Sequence, residues 1–215
     1  MKSNKEILMK SILMRNNPLF TRSQYALCGQ LEIPLVKKQS IDVSNIELIS
    51  CADTKSNDTE INKRKGVHFF VDDYRFNRIY DNPQRTLNRY SQYSFLLTPD
   101  YSLYADMPLW KQIANVAKNR WCGAFWQDKG LTVIPTISWG LSNSFSFCFD
   151  GVEKGSIVAV STLGCLKRKS AFLSGYNEML KRISPTAVIC FGKAFEEMEK
   201  DTIVINYLEC RKGGK

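Results

Sequence analysis

From about residue 46 onward, short apolar runs alternate with longer helical patterns. "IELIS" (46–50), "VHFFV" (67–71), "SFLLT" (94–98), "TVIPT" (132–136), "SIVAVS" (156–161), "TAVICF" (186–191) and "TIVINY" (202–207) are rich in Val, Ile, Leu and Phe. Runs this short and this apolar read as strands buried on both faces, as in a parallel sheet. Helical patterns fall between several of them. "DNPQRTLNRYSQY" opens with Asn82 as a cap and Pro83 at the first helical position. "ADMPLWKQIANVAKNRWCGAFWQDKG" is the longest, with Asp106 as a cap, Pro108 at its start and Gly130 at its end. Leu109, Ile113, Val116, Ala117, Arg120, Trp121 and Ala124 form its apolar stripe, and Trp110, Trp121 and Trp126 read as packing residues. "KSAFLSGYNEMLKRI" and the short "KAFEEMEK" complete the set.

One segment reads two ways. "SNSFSFCFDGVEKG" alternates Phe145, Phe147 and Phe149 like a strand, yet only "DGVEKG" separates it from the next strand. A parallel crossover needs about a dozen residues, so an irregular connection in place of a helix is favoured over a hairpin partner. Seven parallel strands then remain. No G-x-G-x-x-G follows any of them, which argues against a dinucleotide-binding open sheet. The expected fold is α/β: a TIM-barrel-like parallel β/α barrel, closed or incomplete, with some helices replaced by short loops. Residues 1–45 are expected to form an N-terminal helix, with Ile7, Leu8, Ile12 and Leu13 loosely on one side, and a capping segment. Residues 46–215 form the barrel-like domain. The polar stretch 51–66 reads as a surface loop and the place for disorder.

The chain has 215 residues and a formal net charge of +9, which favours acidic partners such as nucleic acid or nucleotides, or else serves solubility. No apolar run reaches the roughly 18 residues of a membrane span. The N-terminus lacks a signal-peptide core, so a cytoplasmic setting without membrane attachment is expected. The seven cysteines form no C-x-x-C pair and sit among apolar neighbours, as buried reduced thiols do.

In parallel α/β folds, ligands bind at the carboxyl ends of the strands. Those ends supply Asp72, Asp73 and Arg75, then Asp100 and Tyr101, then Ser138 and Trp139, then Thr162, Gly164, Lys167 and Arg168, then Gly192 and Lys193. If the protein is an enzyme, Asp72, Asp73 and Asp100 are its candidate catalytic residues. Asp72 and Asp100 are also candidate ligands for Mg²⁺ or Mn²⁺. The plain alternative is a turn cap and ion pairs with Arg75 or Arg78. "STLGCLKRKS" sets a glycine and three cations before a helix, a generic phosphate-binding arrangement or a solvated basic turn. Trp139 is placed to stack on a base or sugar. His68, the only histidine, lies inside its strand and reads as a core residue.

"VHFFVDDYRF", "LLTPDYSLYADMP", "VIPTISWG", "SFCFDGVEKGS" and "VAVSTLGC", taken in this order, resemble domain-of-unknown-function family 4417, found in phages, prophages and integrative elements. The resemblance covers roughly residues 15 to 195. It implies a mobile-element origin and a single cytoplasmic domain, and it brings no activity. Its recurrent stretches match Asp72, Asp73, Arg75, Asp100 and Trp139. The expected function is binding of nucleic acid or a phosphorylated nucleotide-like ligand at the strand ends. Two alternatives stand beside it. One is a non-enzymatic protein that targets a host defence or replication factor, with Tyr101, Leu103 and Tyr104 as contacts. The other is a metal-dependent hydrolase using the three aspartates.

Overall fold

The computed structural model describes residues 4–198 and 202–205. Glu199, Lys200, Asn206, Tyr207, Cys210 and the side chain of Ile7 lie outside the described residues. A two-stranded antiparallel hairpin comes first, β1 (Leu27–Cys28) with β2 (Ile33–Pro34). Seven parallel strands follow: β3 (Leu48–Ser50), β4 (Gly66–His68), β5 (Phe95–Leu97), β6 (Val133–Ile134), β7 (Val158–Ser161), β8 (Val188–Phe191) and β9 (Thr202–Ile205). They form a four-stranded sheet, β3-β4-β5-β6, and a three-stranded sheet, β7-β8-β9. A parallel bridge between Thr136 and Ala159 joins the two, with Ile137 N donating to Ala159 O at 2.8 Å. The strands therefore run side by side in chain order.

The period-two alternation of a strand sorts the side chains. Leu48, Phe95, Leu97, Ile134, Ala159, Ile189, Phe191 and Ile205 point to one shared apolar cluster that also takes in Phe70. The intervening Ile49, Val67, Leu96 and Val133 face a second cluster with Trp121, Phe125 and Trp126. Val158, Val160, Val188 and Cys190 face a third with Phe172, Tyr176 and Met179. Both faces of the strands are covered, which is why their sequences are apolar throughout.

The helices supply that cover. They are α1 (Asn4–Arg15), α2 (Pro18–Thr21), α3 (Glu60–Lys63), α4 (Arg78–Asp81), α5 (Gln84–Tyr90), α6 (Leu109–Asp128) and α7 (Lys169–Ile183). In α6, Arg120 to Trp126 are all buried, and Gly130 at φ 79° ends the run. Neither Asp106 nor Asn82 caps a helix through its side chain. α6 and α5 begin behind Pro108 and Pro83, whose missing N–H leaves one donor fewer to satisfy.

Between β6 and β7 there is no helix and no strand, only a 3₁₀ turn at Ser142–Ser146, so the irregular reading of that segment holds. Four expectations need correction. In "KAFEEMEK", residues 193–195 are irregular and 196–198 form a turn, not a helix. Trp110 is 70% exposed, because it sits on the outer side of the first turn of α6. Leu8, Ile12 and Leu13 of α1 are exposed, with no core beneath them. The 51–66 loop is ordered around buried Asp58, which accepts hydrogen bonds from the Tyr93 hydroxyl, Asn62 Nδ2 and Thr59 N. The segment ahead of residue 45 also enters the core, since Ile33 and Val36 are buried and Val36 bridges to Val152.

Candidate functional site at the strand ends

The loops after β3, β4, β5, β6 and β7 surround a cleft of about 810 Å³. His68 and Phe70 come from β4 and its continuation, Asp100 from the residues after β5, Ser138 and Trp139 from those after β6, and Gly164 and Arg168 from those after β7. Parallel strands deliver these groups together because all seven end on the same side.

Asp100 is the most perturbed carboxyl there. Burial raises it to about 7, the Asp73 carboxylate pushes in the same direction, and a hydrogen bond with Ser138 opposes both. A group with that affinity holds or releases a proton near neutrality, so it acts as a hydrogen-bond donor or as an acid–base. His68 goes the other way. Burial lowers it to about 4, so the ring is neutral, with Nδ1 accepting from Phe70 N at 3.2 Å. Phe191 packs on the ring at 4.4 Å between centroids.

Asp72 and Arg75 are exposed and line the cleft, where a 3₁₀ turn at Asp73–Arg75 follows β4. Asp73 turns away into a second cleft of about 700 Å³ and accepts from Ser102 N and Oγ. Trp139 is half-buried rather than free. It packs on Phe172 at 5.0 Å and stands over Gly175, where a Cβ would overlap its indole. Arg168 occupies the position before α7, which has no side-chain cap and no acidic residue in its first turn.

The remaining expected residues stand elsewhere. Tyr101 is buried against Phe76, and Thr162 is buried beside Gly192. Lys167 and Lys193 are exposed, and neither lines a cleft. Of the proposed host contacts Tyr101, Leu103 and Tyr104, only Tyr104 is exposed. Among the described residues no three His, Cys, Asp or Glu side chains gather as a metal centre.

Sequence reasoning left out several lining residues. Ser50 ends β3 and Asp53 follows it, so both obey the strand-end rule that found the others. His68 is buried, as its place inside the strand predicts, and also borders the cleft. Cys165 follows β7 and obeys the same rule, whereas Phe172 enters from α7.

The arrangement defines a parallel α/β protein with a polar and aromatic cleft at its strand ends. The chain belongs to the family of the domain of unknown function DUF4417, whose model matches residues 25–208. It is similar to the Gene 1 protein of Mycobacterium phage L5, at 43% identity over 130 residues, covering 59% of this chain and 57% of that protein. The Gene 1 protein of Mycobacterium phage D29 is 42% identical over 130 residues, covering 59% of this chain and 48% of that protein. The chain spans about half the length of these relatives. No solved structure matches it. Among the described residues no helix is long and apolar enough to cross a membrane.

Proposed function

We propose that the seven strands form an incomplete β/α barrel whose strand-end cleft binds a phosphorylated, nucleotide-like ligand, in a phage or mobile-element protein working in the cytoplasm. The phage relatives support the setting. Strand order and the inner cluster drawn from successive strands support the barrel.

The observation that carries the ligand reading is that Arg75, Arg168, Trp139 and Asp100 share one cleft. Its volume falls within the ordinary range for small-molecule sites, roughly 300–1,000 Å³. Neither arginine is held in an ion pair among the described residues. Arg168 stands at a helix start, the wrong end for a cation beside the helix dipole unless an anion joins it. Trp139 offers an apolar wall for a base, and Asp100 with Ser138 offers hydrogen bonds below it. Asp53, Asp72 and Asp100 keep the cleft from being uniformly positive, which favours a ligand gripped at one phosphate end.

Titration calorimetry with inorganic phosphate and with nucleoside mono- and triphosphates tests this. Arg75→Ala and Arg168→Ala should each weaken nucleotide binding about tenfold, the usual scale for a charge-assisted contact. No heat with any of these compounds removes the reading. An interaction-protein reading retains one specific support, the exposed apolar rim of Tyr104, Leu141 and Leu163. Capture of a defined host protein that Tyr104→Ala abolishes would favour it.

A further inference from the structure

The second cleft, of about 700 Å³, adjoins the first, and the residues they share form the saddle between them. Asp72, Ser102 and Tyr104 line both. Lys111 and Lys118, two turns apart on α6, face the second cleft, and neither is in an ion pair among the described residues. Lys118 is held over the Tyr80 and Tyr101 rings at 5.4 and 5.8 Å, so its ammonium is positioned. The Tyr104 hydroxyl lies 3.1 Å from Ser102 Oγ, and the residue is 63% exposed on the saddle. Tyr74, 70% exposed, borders the second cleft as Trp139 borders the first.

Cations and aromatics therefore share the two clefts: Arg168 and Trp139 line the first, Tyr104 lines both, and Tyr74, Lys111 and Lys118 line the second. Proteins that hold a single nucleic-acid strand use this combination, with charge tracking the backbone and rings stacking on successive bases. A duplex needs a broader surface and does not present its base faces.

We propose that the two clefts are one groove for a single nucleic-acid strand of at least two nucleotides, with Tyr104 as the stacking platform on the saddle. The inference rests on the nucleotide reading of the first cleft and extends it. Asp73 holds Ser102, one of the residues the two clefts share. Asp72, Asp73 and Asp81 also line the second cleft, so Lys111 and Lys118 carry the phosphate contacts and the strand passes the carboxylates.

The test compares mononucleotides with labelled single strands of about ten nucleotides, a length within the usual site sizes. DNA and RNA strands and a matching duplex are titrated by fluorescence anisotropy at several salt concentrations. The single strand should bind at least about tenfold tighter than any mononucleotide, the gain expected for one more stacked base. Tyr104→Ala should remove most of that gain. Lys111→Gln with Lys118→Gln should lower the slope of log affinity against log salt by about 1.4 for the strand, two phosphate contacts' worth. Circular dichroism checks that the variants fold. If mononucleotides bind but the strand binds no tighter, or if the variants leave strand binding unchanged, the groove is overturned while the first cleft stands. If neither mononucleotides nor strands bind, the nucleotide reading fails as a whole.

Discussion

Asp73 accepts two hydrogen bonds from Ser102, from its backbone N–H at 3.2 Å and from its hydroxyl at 2.8 Å. One carboxylate thus ties the turn after β4 to the loop after β5. The same charge reaches Asp100, where it discourages ionisation. Asp73 therefore joins the two clefts mechanically and electrostatically.

Replacing Asp73 by Asn separates these roles. The amide oxygen still accepts from Ser102, so the loss of stability should stay near 1 kcal/mol, the scale of one weakened hydrogen bond. The negative charge is gone, so the Asp100 midpoint should drop below about 7. Carboxyl carbon NMR across a pH titration reads this directly. An unmoved midpoint would leave burial as the sole cause.

Asp100 and His68 should impose opposite pH slopes on stability. Asp100 binds its proton more tightly when folded, at about 7 against an unfolded value near 3.8. The native state then holds the extra proton between those limits, and stability falls as pH rises through them. His68 is depressed to about 4 from 6.5, so the unfolded state holds the extra proton and stability rises over that window. Between pH 4 and 6.5 the two offset each other, and the wild-type contribution should be nearly flat. Asp100→Asn should expose a rise with pH, and His68→Gln a fall. Each single variant should depart from wild type on the order of 2 kcal/mol across the window, less than the full shift because the cleft is open to solvent. Urea unfolding at half-unit pH steps measures it, and parallel profiles for all three proteins would refute the assignment.

Gly175 sets how deep Trp139 sits. A methyl group there overlaps the indole, and Trp139 also rests on Phe172 and Phe149. Gly175→Ala should push the ring outward into the cleft and cost about 1–3 kcal/mol, as overpacking does. Tryptophan emission should shift to the red, and ligand capacity at the first cleft should fall. A variant with native emission and native stability would mean the ring moves freely.

The strands were legible because a sheet covered on both faces writes itself as apolar runs, and "VHFFV" and "SIVAVS" needed no partner to be read. Strand-end logic then located Asp72, Asp100, Ser138 and Arg168 near one another in space. Direction is harder to read. Strand alternation lets only one of the adjacent Asp72 and Asp73 face the cleft; Asp72 is the one that lines the first cleft, through a 3₁₀ turn that has no sequence mark. Tyr101 looked like a site residue for the same reason, although its ring folds back onto Phe76. The 51–66 loop looked loose because its order comes from Asp58 meeting Tyr93, a pairing 35 residues apart. Local pattern carries element identity, whereas side-chain aim and long-range polar ties depend on the assembled fold.

Arg120 shows such a tie at its strongest. Its side chain is 2% exposed in the middle of α6. Nε donates to Asp150 O at 3.0 Å, Nη1 to Thr136 O at 2.9 Å and Nη2 to Cys148 O at 2.9 Å. Burial lowers its affinity for the proton to about 10, still far above neutrality, so the guanidinium is charged and its forked donors are spent on carbonyls. It thereby stands in for the helix that the β6–β7 connection lacks, holding the end of β6 against the turn at 148–150. Arg120→Met keeps most of the volume and removes every donor. The carbonyls of Thr136, Cys148 and Asp150 and the Asn119 side-chain amide oxygen each lose a partner, at about 1–3 kcal/mol for a buried acceptor before relaxation. We expect a net loss of at least about 3 kcal/mol, with faster amide exchange around residues 147–152. Arg120→Lys should recover only part of it, because an ammonium cannot reproduce the planar fork. Arg182→Met, which breaks a surface pair with Glu178, should cost under about 1 kcal/mol. Equal urea midpoints for Arg120→Met and Arg182→Met would show that the connection is held by packing alone.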